Sequence, residues 1–163
     1  MTTVFLSLGT NSGNRSFFIE SMVQKLSMVL KPPLSLSSLM ETKPLGMKNQ
    51  KQWFLNTIMR AHFNGSPSDL LTACNTIEIE LGRVRKPYPC ARTADIDILL
   101  FGHKVIKTKD LVIPHPAIRN RRFCLQGLFE LAPWWHFPGT SKTILEIFTK
   151  MKDDIVQQEI IFL

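Results

Sequence analysis

Two acidic residues, Asp95 and Asp97, are separated by one apolar residue in a segment with the composition of a β-strand. Alternate side chains of a strand share a face, so we expect both carboxylates to point the same way, roughly 7 Å apart. At an effective dielectric constant near 20 they repel by only about 2 kcal/mol, so their repulsion alone does not require a metal. For an isolated Asp-x-Asp, pairing with Arg83, Arg85 or Arg92 is the favoured interpretation.

The residues around the acidic pair shift that balance toward a polyphosphate site. The rest of the strand is strongly apolar, which predicts a central strand of a sheet. Carboxylates suit Mg²⁺, which typically uses one or two of them plus phosphate oxygens and water. Two such ions can clamp the attacked and leaving oxygens, and guanidinium groups match phosphate oxygens. Basic residues stand on both sides of the pair: Arg83, Arg85, Lys86 and Arg92 before it, and Arg119, Arg121 and Arg122 after it.

Composition limits the class of protein. A chain of 163 residues with 44% apolar content is the size of one domain, which we place at residues 1–163. A net charge of +7 indicates an anionic partner, whether nucleic acid, a membrane surface or a phosphorylated small molecule. The sequence shows no long apolar run or signal peptide, so we expect a cytoplasmic protein without membrane contact. The three cysteines predict small apolar filler rather than disulfides or a zinc site: Cys74, Cys90 and Cys124.

The spacing of apolar residues, together with residues that start or end helices, predicts the elements that position the acidic pair. Ser66, Pro67 and Asp69 mark a helix start and Gly82 its end. The predicted order is strand Val4–Leu8, a helix from Arg15 to Pro32-Pro33, half-buried strand Leu34–Leu39, strand Phe54–Phe63, a helix from Ser66 to Gly82, and strand Ala94–Phe101. This β-α-β-β-α-β order predicts an α+β, ferredoxin-like fold with helices on one side of the sheet. Beyond Gly102 we expect an irregular C-terminal extension with one helix over Thr143–Met151. The apolar tail Ile160–Leu163 could pair at a sheet edge or pack on the body of the protein.

Three motifs, taken in order, carry a resemblance to a known family: Gly82–Lys86, Arg92–Gly102 and Pro114–Pro116. Together they resemble 6-hydroxymethyl-7,8-dihydropterin pyrophosphokinase, an enzyme of folate synthesis. The likeness covers nearly the whole chain, from Leu6–Asn11 to Phe129–Pro133. It implies that the diphosphate of ATP is transferred to the hydroxymethyl group of the dihydropterin, with release of AMP. It also implies a monomer that binds these two substrates and no nucleic acid.

The resemblance also implies roles for particular residues. Asp95 and Asp97 would hold two Mg²⁺ ions bound with ATP, and Arg83 and Arg92 would be the catalytic arginines. The ATP-binding positions would be Asn75, Glu78, Arg85, Lys86, His115 and Arg121. The pterin-binding positions would be Thr42, Pro44, Leu45, Phe54, Asn56 and Phe123. Phe54 and Phe123 could sandwich a flat ring, and the amide of Asn56 offers both a donor and an acceptor to its edge.

Some features depart from the family pattern, and two other functions stay open. Lys43 replaces a frequent proline, Asp110 stands where some members carry a basic residue, and Tyr88–Ala91 replaces a common Trp-Gly-Pro run. A basic ferredoxin-like module could bind RNA through aromatic rings on its sheet, although the predicted strand 94–101 offers none at its Ile and Leu positions. A two-metal site could also serve nucleotidyl transfer or cyclisation, and the released product separates these reactions.

Overall fold

The computed structural model describes residues 1–44, 52–84 and 92–163. Within these ranges the strands are β1 (Thr2–Thr10), β2 (Lys31–Leu36), β3 (Met40–Thr42), β4 (Phe54–Phe63), β5 (Asp95–Phe101), β6 (Ile106–Lys107), β7 (Val112–Ile113) and β8 (Ile160–Phe162). The helices are α1 (Arg15–Val29), α2 (Pro67–Glu80), α3 (Ala117–Asn120), α4 (Arg122–Leu131), α5 (Ile144–Thr149) and α6 (Asp153–Val156). The structure is therefore a mixed α and β fold, as the sequence predicts.

Six strands form one sheet in the order β5-β1-β4-β3-β8, with β2 also paired to β4, and each of these pairs is antiparallel. The prediction that the strand of the acidic pair is central was wrong, because β5 is at the edge. Its core residues are nevertheless buried, since its outer edge is covered. The backbone N–H of His115 donates to the carbonyl of Leu99, and the backbone N–H of Ile96 donates to the carboxylate of Glu78. An edge strand masked in this way does not offer free pairing groups at those positions.

One face of the sheet packs against the two longest helices, α1 and α2. Their apolar stripes meet alternate residues of β1, of which Val4, Leu6 and Leu8 are fully buried. Ser66 and Asp69 form a reciprocal capping box at the start of α2, as the sequence predicts. Gly82 follows the helix with a φ of +79°, a conformation that glycine adopts without steric cost. Local signals and burial agree on this face, which places the end of α2 beside β5.

The opposite face is covered by the C-terminal part of the chain. Phe5, Ile58 and Leu100 pack there against α3, α4 and α5. The two helices of the predicted core, α1 and α2, do share one face, whereas the region beyond Gly102 is more ordered than expected and covers the other. A shift of register between Phe5 and Leu6 leaves Leu99 as an extra residue on β5. This bulge turns both Leu99 and Leu100 toward the C-terminal helices.

Two further expectations change at the far edge of the sheet. β2 lies at Lys31–Leu36 and all six of its residues are exposed, so the predicted half-buried strand over Leu34–Leu39 was wrong in both its bounds and its burial. The C-terminal tail forms β8 and pairs with β3 at the sheet edge, which is one of the two placements expected from its sequence. Cys74 and Cys124 are buried free thiols, which agrees with the predicted filler role. Among the described residues, no helix is both long and apolar enough to cross a membrane.

Candidate functional site

Strand register brings Asn56, Gly9 and Asp95 onto one row across three adjacent strands. Gly9 of β1 is paired with Asn56 of β4 on one side and with Asp95 of β5 on the other. A Cβ atom on Gly9 would lie 2.9 Å from the Oδ1 atom of Asn56 and 4.0 Å from the Cβ atom of Asp95. The missing side chain leaves a trough that the amide of Asn56 partly fills. The backbones of Asn56 and Asp95 are roughly 10 Å apart at two strand spacings. Sequence analysis missed this role of Gly9.

Four charged side chains interlock at the start of β5, and we call Glu78, Arg83, Arg92 and Asp95 the charged cluster. Arg83 and Arg92 each place an Nη1 atom on a different carboxylate oxygen of Asp95, at 2.8 and 2.6 Å. Arg83 also pairs with Glu78. The Oε1 atom of Glu78, which contacts Arg83, also accepts the backbone N–H of Ile96 at 2.7 Å. The end of α2 is therefore tied to β5 through buried charge.

Burial is the largest influence on the carboxyl group of Glu78, and it raises the pKa of that group. The hydrogen bond from Ile96 and the charge of Arg83 oppose the shift, while the two aspartates add to it. Glu78 and Asp95 are only 5% and 8% exposed. Charges buried to this degree are stable only when they are paired and hydrogen-bonded.

The turn after β1 holds the backbone of Arg92. The Oδ1 atom of Asn11 accepts the backbone N–H of Arg92 at 2.7 Å. The backbone N–H of Asn11 and the hydroxyl of Thr10 both donate to the carbonyl of Arg92, at 3.1 and 3.2 Å. Thr10 and Asn11 therefore fix the position from which the Arg92 guanidinium reaches Asp95. The sequence showed only a turn here, and no local pattern signals a contact across 81 positions.

Asp97 shares a face of β5 with Asp95 but lies outside the charged cluster. Its side chain is 37% exposed, and its Oδ1 atom is 3.9 Å from the Nε2 atom of His115. Burial and the negative charge of Asp95 raise the pKa of Asp97, against the opposing charges of His115, Arg121 and Arg92. The Nδ1 atom of His115 accepts the backbone N–H of Ala117 at 3.1 Å, so its Nε2 atom faces the acid. Asp97 thus keeps more of its coordinating capacity than Asp95.

Two pockets adjoin the acidic pair. The larger pocket has a volume of about 340 Å³ and reaches Asp95 and Arg92. The predicted pterin positions that line it are Thr42, Phe54, Asn56 and Phe123. Asn56 is 3% exposed and donates from Nδ2 to the hydroxyl of Thr42 at 2.9 Å, which fixes the orientation of its amide.

The smaller pocket has a volume of about 290 Å³ and contains Asp97 and His115. Apolar side chains, among them Leu71, Ile96 and Leu111, supply much of its wall, and Asp110 is one of its polar lining residues. The pair of aspartates therefore stands between two cavities, one reached by each acid. This arrangement suits the transfer of a group between two bound molecules.

The other predicted site residues line the larger pocket, lie elsewhere in the described structure, or fall outside the described residues. Arg121 lines the larger pocket, and its charge acts on Asp97. Asn75 is half-buried on α2, and Pro44 lies two residues beyond β3 without lining the larger pocket. Of the basic residues after the pair, Arg119 stacks on Phe137 and Arg122 binds backbone carbonyls of the C-terminal segment, so only Arg121 faces the acids. The remaining predictions lie outside the described residues: Leu45, Arg85, Lys86 and the Tyr88–Ala91 departure.

The donor set fits a magnesium ion in part. Asp95 and Asp97 are hard oxygen ligands on one face, and Mg²⁺ commonly takes only one or two protein carboxylates. Both oxygens of Asp95 are engaged by arginines, so a metal there requires one of these contacts to be shared or exchanged. Within residues 1–44, 52–84 and 92–163, no three His, Cys, Asp or Glu side chains gather as a complete metal cage. The remaining ligands of an ion would then come from the substrate and water.

Paired carboxylates between two pockets, with arginines converging on them, form an arrangement suited to a group-transfer site for phosphate-bearing molecules. The comparisons with known proteins identify the family. The family model described as 7,8-dihydro-6-hydroxymethylpterin-pyrophosphokinase (HPPK) matches residues 5–133, and the chain belongs to this family. This confirms the family that the sequence motifs indicated.

Relatives and solved structures agree with this assignment. A 2-amino-4-hydroxy-6-hydroxymethyldihydropteridine pyrophosphokinase of Aquifex aeolicus is 38% identical over 133 residues, covering 82% of each chain. The folic acid synthesis protein fol1 of Pneumocystis carinii is 35% identical over 160 residues, which is 98% of this chain but 22% of that protein. A Plasmodium falciparum HPPK-DHPS structure matches 99% of this chain and 47% of its own with a TM-score of 0.75 and 16% identity, which shows the fold. The chain thus spans about a fifth of the fungal protein and about half of the solved one.

Proposed function

We propose that the chain transfers the terminal diphosphate of ATP to the hydroxymethyl group of 6-hydroxymethyl-7,8-dihydropterin and releases AMP. The observation that carries this proposal is the position of the acidic pair, with Asp95 at the larger pocket and Asp97 at the smaller one. The names of the pyrophosphokinase relatives support the same reaction.

The larger pocket would hold the pterin. Phe54 and Phe123 supply aromatic surface for a flat heterocycle, and the buried amide of Asn56 supplies polar groups for its edge. Asn56 and Asp95 both line this pocket, so the hydroxymethyl arm would reach the charged residues within one cavity. A site built on strands in this way holds a substrate more precisely than a loop site does.

The smaller pocket would hold the nucleoside of ATP, with its phosphates directed toward the acidic pair. Asp95 and Asp97 would coordinate Mg²⁺, which supplies electrostatic stabilisation of the diphosphate when it is bound. Arg83, Arg92 and Arg121 would contact phosphate oxygens through planar guanidinium groups. Because Arg83 and Arg92 now pair with Asp95, ATP binding would redistribute these contacts between the carboxylate and the phosphates.

In the reaction, the hydroxyl oxygen of the pterin forms a bond to the β-phosphorus of ATP. The bond from that phosphorus to the oxygen bridging the α-phosphate breaks, and AMP leaves with the bridging oxygen. The hydroxyl proton is released to water. Transfer to phosphorus depends mainly on positioning and charge stabilisation, so we assign no side chain as general base.

Two alternatives fit the described structure less well. The sheet has helices packed on both faces, so stacking of RNA bases on an open sheet surface has no available platform. Nucleotidyl transfer would use the same acids but would release pyrophosphate.

We further infer that the core is ferredoxin-like. The strand order β5-β1-β4 followed by β2 or β3, with α1 and α2 on one face, supports that relation.

Incubation with MgATP and the hydroxymethyl pterin, followed by separation of nucleotides, tests the proposal. We expect AMP and a diphosphorylated pterin that carries label from the β-phosphate. Controls without pterin and without Mg²⁺ should yield neither product. ADP as the product would contradict diphosphate transfer, and pyrophosphate would favour the nucleotidyl reaction.

A further inference from the structure

The C-terminal segment Asp153–Phe162, which we call the C-terminal clasp, is built against the strand that carries Thr42. It consists of α6 and β8, and Ile160 of β8 is the direct antiparallel neighbour of Thr42. Thr42 in turn orients the amide of Asn56. The clasp therefore meets the larger pocket at its hydrogen-bonding end.

The other side of the clasp is fastened beside Phe123. The guanidinium of Arg122 donates to the carbonyls of Val156 and Gln158, at 2.8 and 3.2 Å. The backbone N–H of Arg122 donates to the side-chain oxygen of Gln158 at 3.0 Å, and the Nε2 atom of Gln158 donates to the carbonyl of Asn120 at 2.9 Å. These four bonds hold the clasp to the start of α4, between the strand of Thr42 and the helix of Phe123.

Positioned in this way, the clasp supplies one wall of the larger pocket. Asp154 and Gln157 stand three residues apart across α6, and both line the cavity with exposed polar side chains. The full contribution of the clasp to the lining is Asp154, Gln157, Gln158, Glu159 and Ile160. The pocket is consequently closed by a segment far in sequence from its other walls.

An exposed ion pair lies next to the Thr42–Ile160 pair, where the clasp meets β3. The Nζ atom of Lys43 is 2.6 Å from a carboxylate oxygen of Glu159, and the two side chains are 58% and 50% exposed. Lys43 also lies over the ring of Trp53, 5.2 Å from its centroid, next to Phe54. Exposed pairs of this kind contribute weakly and are screened by salt. The fastener is therefore a weak addition to the β3–β8 pairing and to the Arg122 bonds that hold the clasp.

We propose that the C-terminal clasp is a pterin-binding wall of the larger pocket and that the Lys43–Glu159 pair adjusts the position of its edge. The proposal rests on the proposed function, because it takes the pterin as the occupant of the larger pocket. In this proposal Gln157 and Asp154 face the bound heterocycle, while Lys43 and Glu159 are residues that position the clasp. Pterin affinity, rather than ATP affinity or the rate of the bound complex, then depends on the clasp.

Charge reversal tests the fastener. We expect Lys43→Glu or Glu159→Lys alone to raise the KM for pterin by about two- to fivefold, the range of a weak exposed pair, with kcat and the KM for ATP unchanged. The double variant K43E/E159K should restore the pterin KM. The matched control is K25E/E80K, which reverses an exposed pair of 2.7 Å between α1 and α2, and neither it nor its single variants should alter the pterin KM. Single variants with an unchanged pterin KM, or a double variant without recovery, would overturn the fastener.

Gln157→Ala and Asp154→Ala test the wall itself. Both positions are exposed, so folding should persist, and thermal unfolding checks this. We expect either change to weaken pterin binding several-fold in a titration with a non-hydrolysable ATP analogue, where no turnover is needed. If the protein binds pterin but yields no AMP, the proposed function is refuted. The titration still measures how the clasp affects pterin affinity. Unchanged pterin affinity in both variants would refute the clasp.

Discussion

The charged cluster and the rim of the larger pocket use opposite charges in different ways. In the charged cluster, Glu78 and Asp95 are almost fully buried and each contacts arginine. At the rim, Lys43 and Glu159 are at least half exposed and have mainly each other. Breaking a buried pair by removing one partner costs about 3–5 kcal/mol, whereas an exposed pair contributes about 0–1 kcal/mol. One region is therefore fixed in the free protein, and the other is adjustable.

This difference matches what each proposed substrate requires. Phosphate transfer needs charges that are already in place, because reorganising them during the reaction would raise its barrier. A pterin must enter and its product must leave, so a wall with a weak fastener is useful on that side. Asp97 differs from both regions, because it adjoins the charged cluster yet remains 37% exposed and lies at the smaller pocket.

Asp97→Asn gives the largest expected effect. The change removes a proposed metal ligand, and such ions supply several kcal/mol of stabilisation, so turnover should fall by about a thousandfold or more. The free energy of unfolding should hardly fall, because Asp97 has only a distant contact with His115 in the described structure. AMP release and denaturant unfolding measure the two quantities. Glu20→Gln on the exposed side of α1 is the control, and turnover near wild type in Asp97→Asn would show that the carboxylate is not required.

Glu78→Ala should have the next largest effect, this time on stability. It leaves the backbone N–H of Ile96 without its acceptor and removes a partner of Arg83, which should cost about 3–5 kcal/mol. Glu78→Gln retains an acceptor oxygen and should lose less. Glu80→Ala, on the same helix with an exposed pair to Lys25, should cost under about 1 kcal/mol. Equal losses at positions 78 and 80 in denaturant unfolding would remove the distinction between buried and exposed charge.

Gly9→Ala tests the trough that joins the two regions. The added Cβ would lie 2.9 Å from Asn56 Oδ1, so the amide must move or the strands must separate. Crowding of this kind costs about 1–3 kcal/mol, and we expect kcat/KM for pterin to fall by about tenfold or more. The binding of an ATP analogue should change less, since the smaller pocket lies on the other side of the pair. An equal loss for both substrates would show that Gly9 supports the fold rather than the trough.

The sequence predicted best those elements that carry local signals. Ser66, Pro67, Asp69 and Gly82 bracket α2 by capping and by a left-handed residue, and the structure agrees. Helix α4 was missed because such signals are weak there. Its N-cap, Arg121, makes no side-chain capping bond, and no acid occupies the first turn. Cys124, Leu128 and Leu131 nevertheless recur at helical spacing and pack in the core, so spacing carried a signal for α4 even though its ends did not.

The site divides along the same line. The acidic pair and its arginines could be predicted because these residues lie close together in the chain. The row Asn56–Gly9–Asp95 depends on strand register, and the clasp depends on a tail that returns to β3 across more than a hundred positions. Neither is encoded by spacing. The predicted roles of individual residues in binding ATP and magnesium stay predictions, to be tested by the variants above.

The smallest expected effect is a pH dependence that distinguishes Asp97 from an ordinary surface acid. The pKa of Asp97 in the folded protein is raised above 3.8, so its contribution to stability is full below that value and is lost as pH rises through the folded pKa. Asp97→Asn should therefore be more stable than wild type at pH 7, by less than about 1 kcal/mol because water screens a partly exposed group. That advantage should shrink as pH falls toward 4.

Asp69 provides a control of opposite sign. Hydrogen bonds from the Ser66 side chain and backbone lower the pKa of Asp69, so its contribution is present above the ordinary value of 3.8 and is lost as pH falls through the lower folded pKa. Asp69→Asn should be less stable than wild type at pH 7, and this deficit should disappear in acid. Denaturant unfolding from pH 3 to 7 measures both differences. Curves of the same sign would mean that Asp97 is stabilised as an anion, and its availability to a metal would then have to be argued from another source.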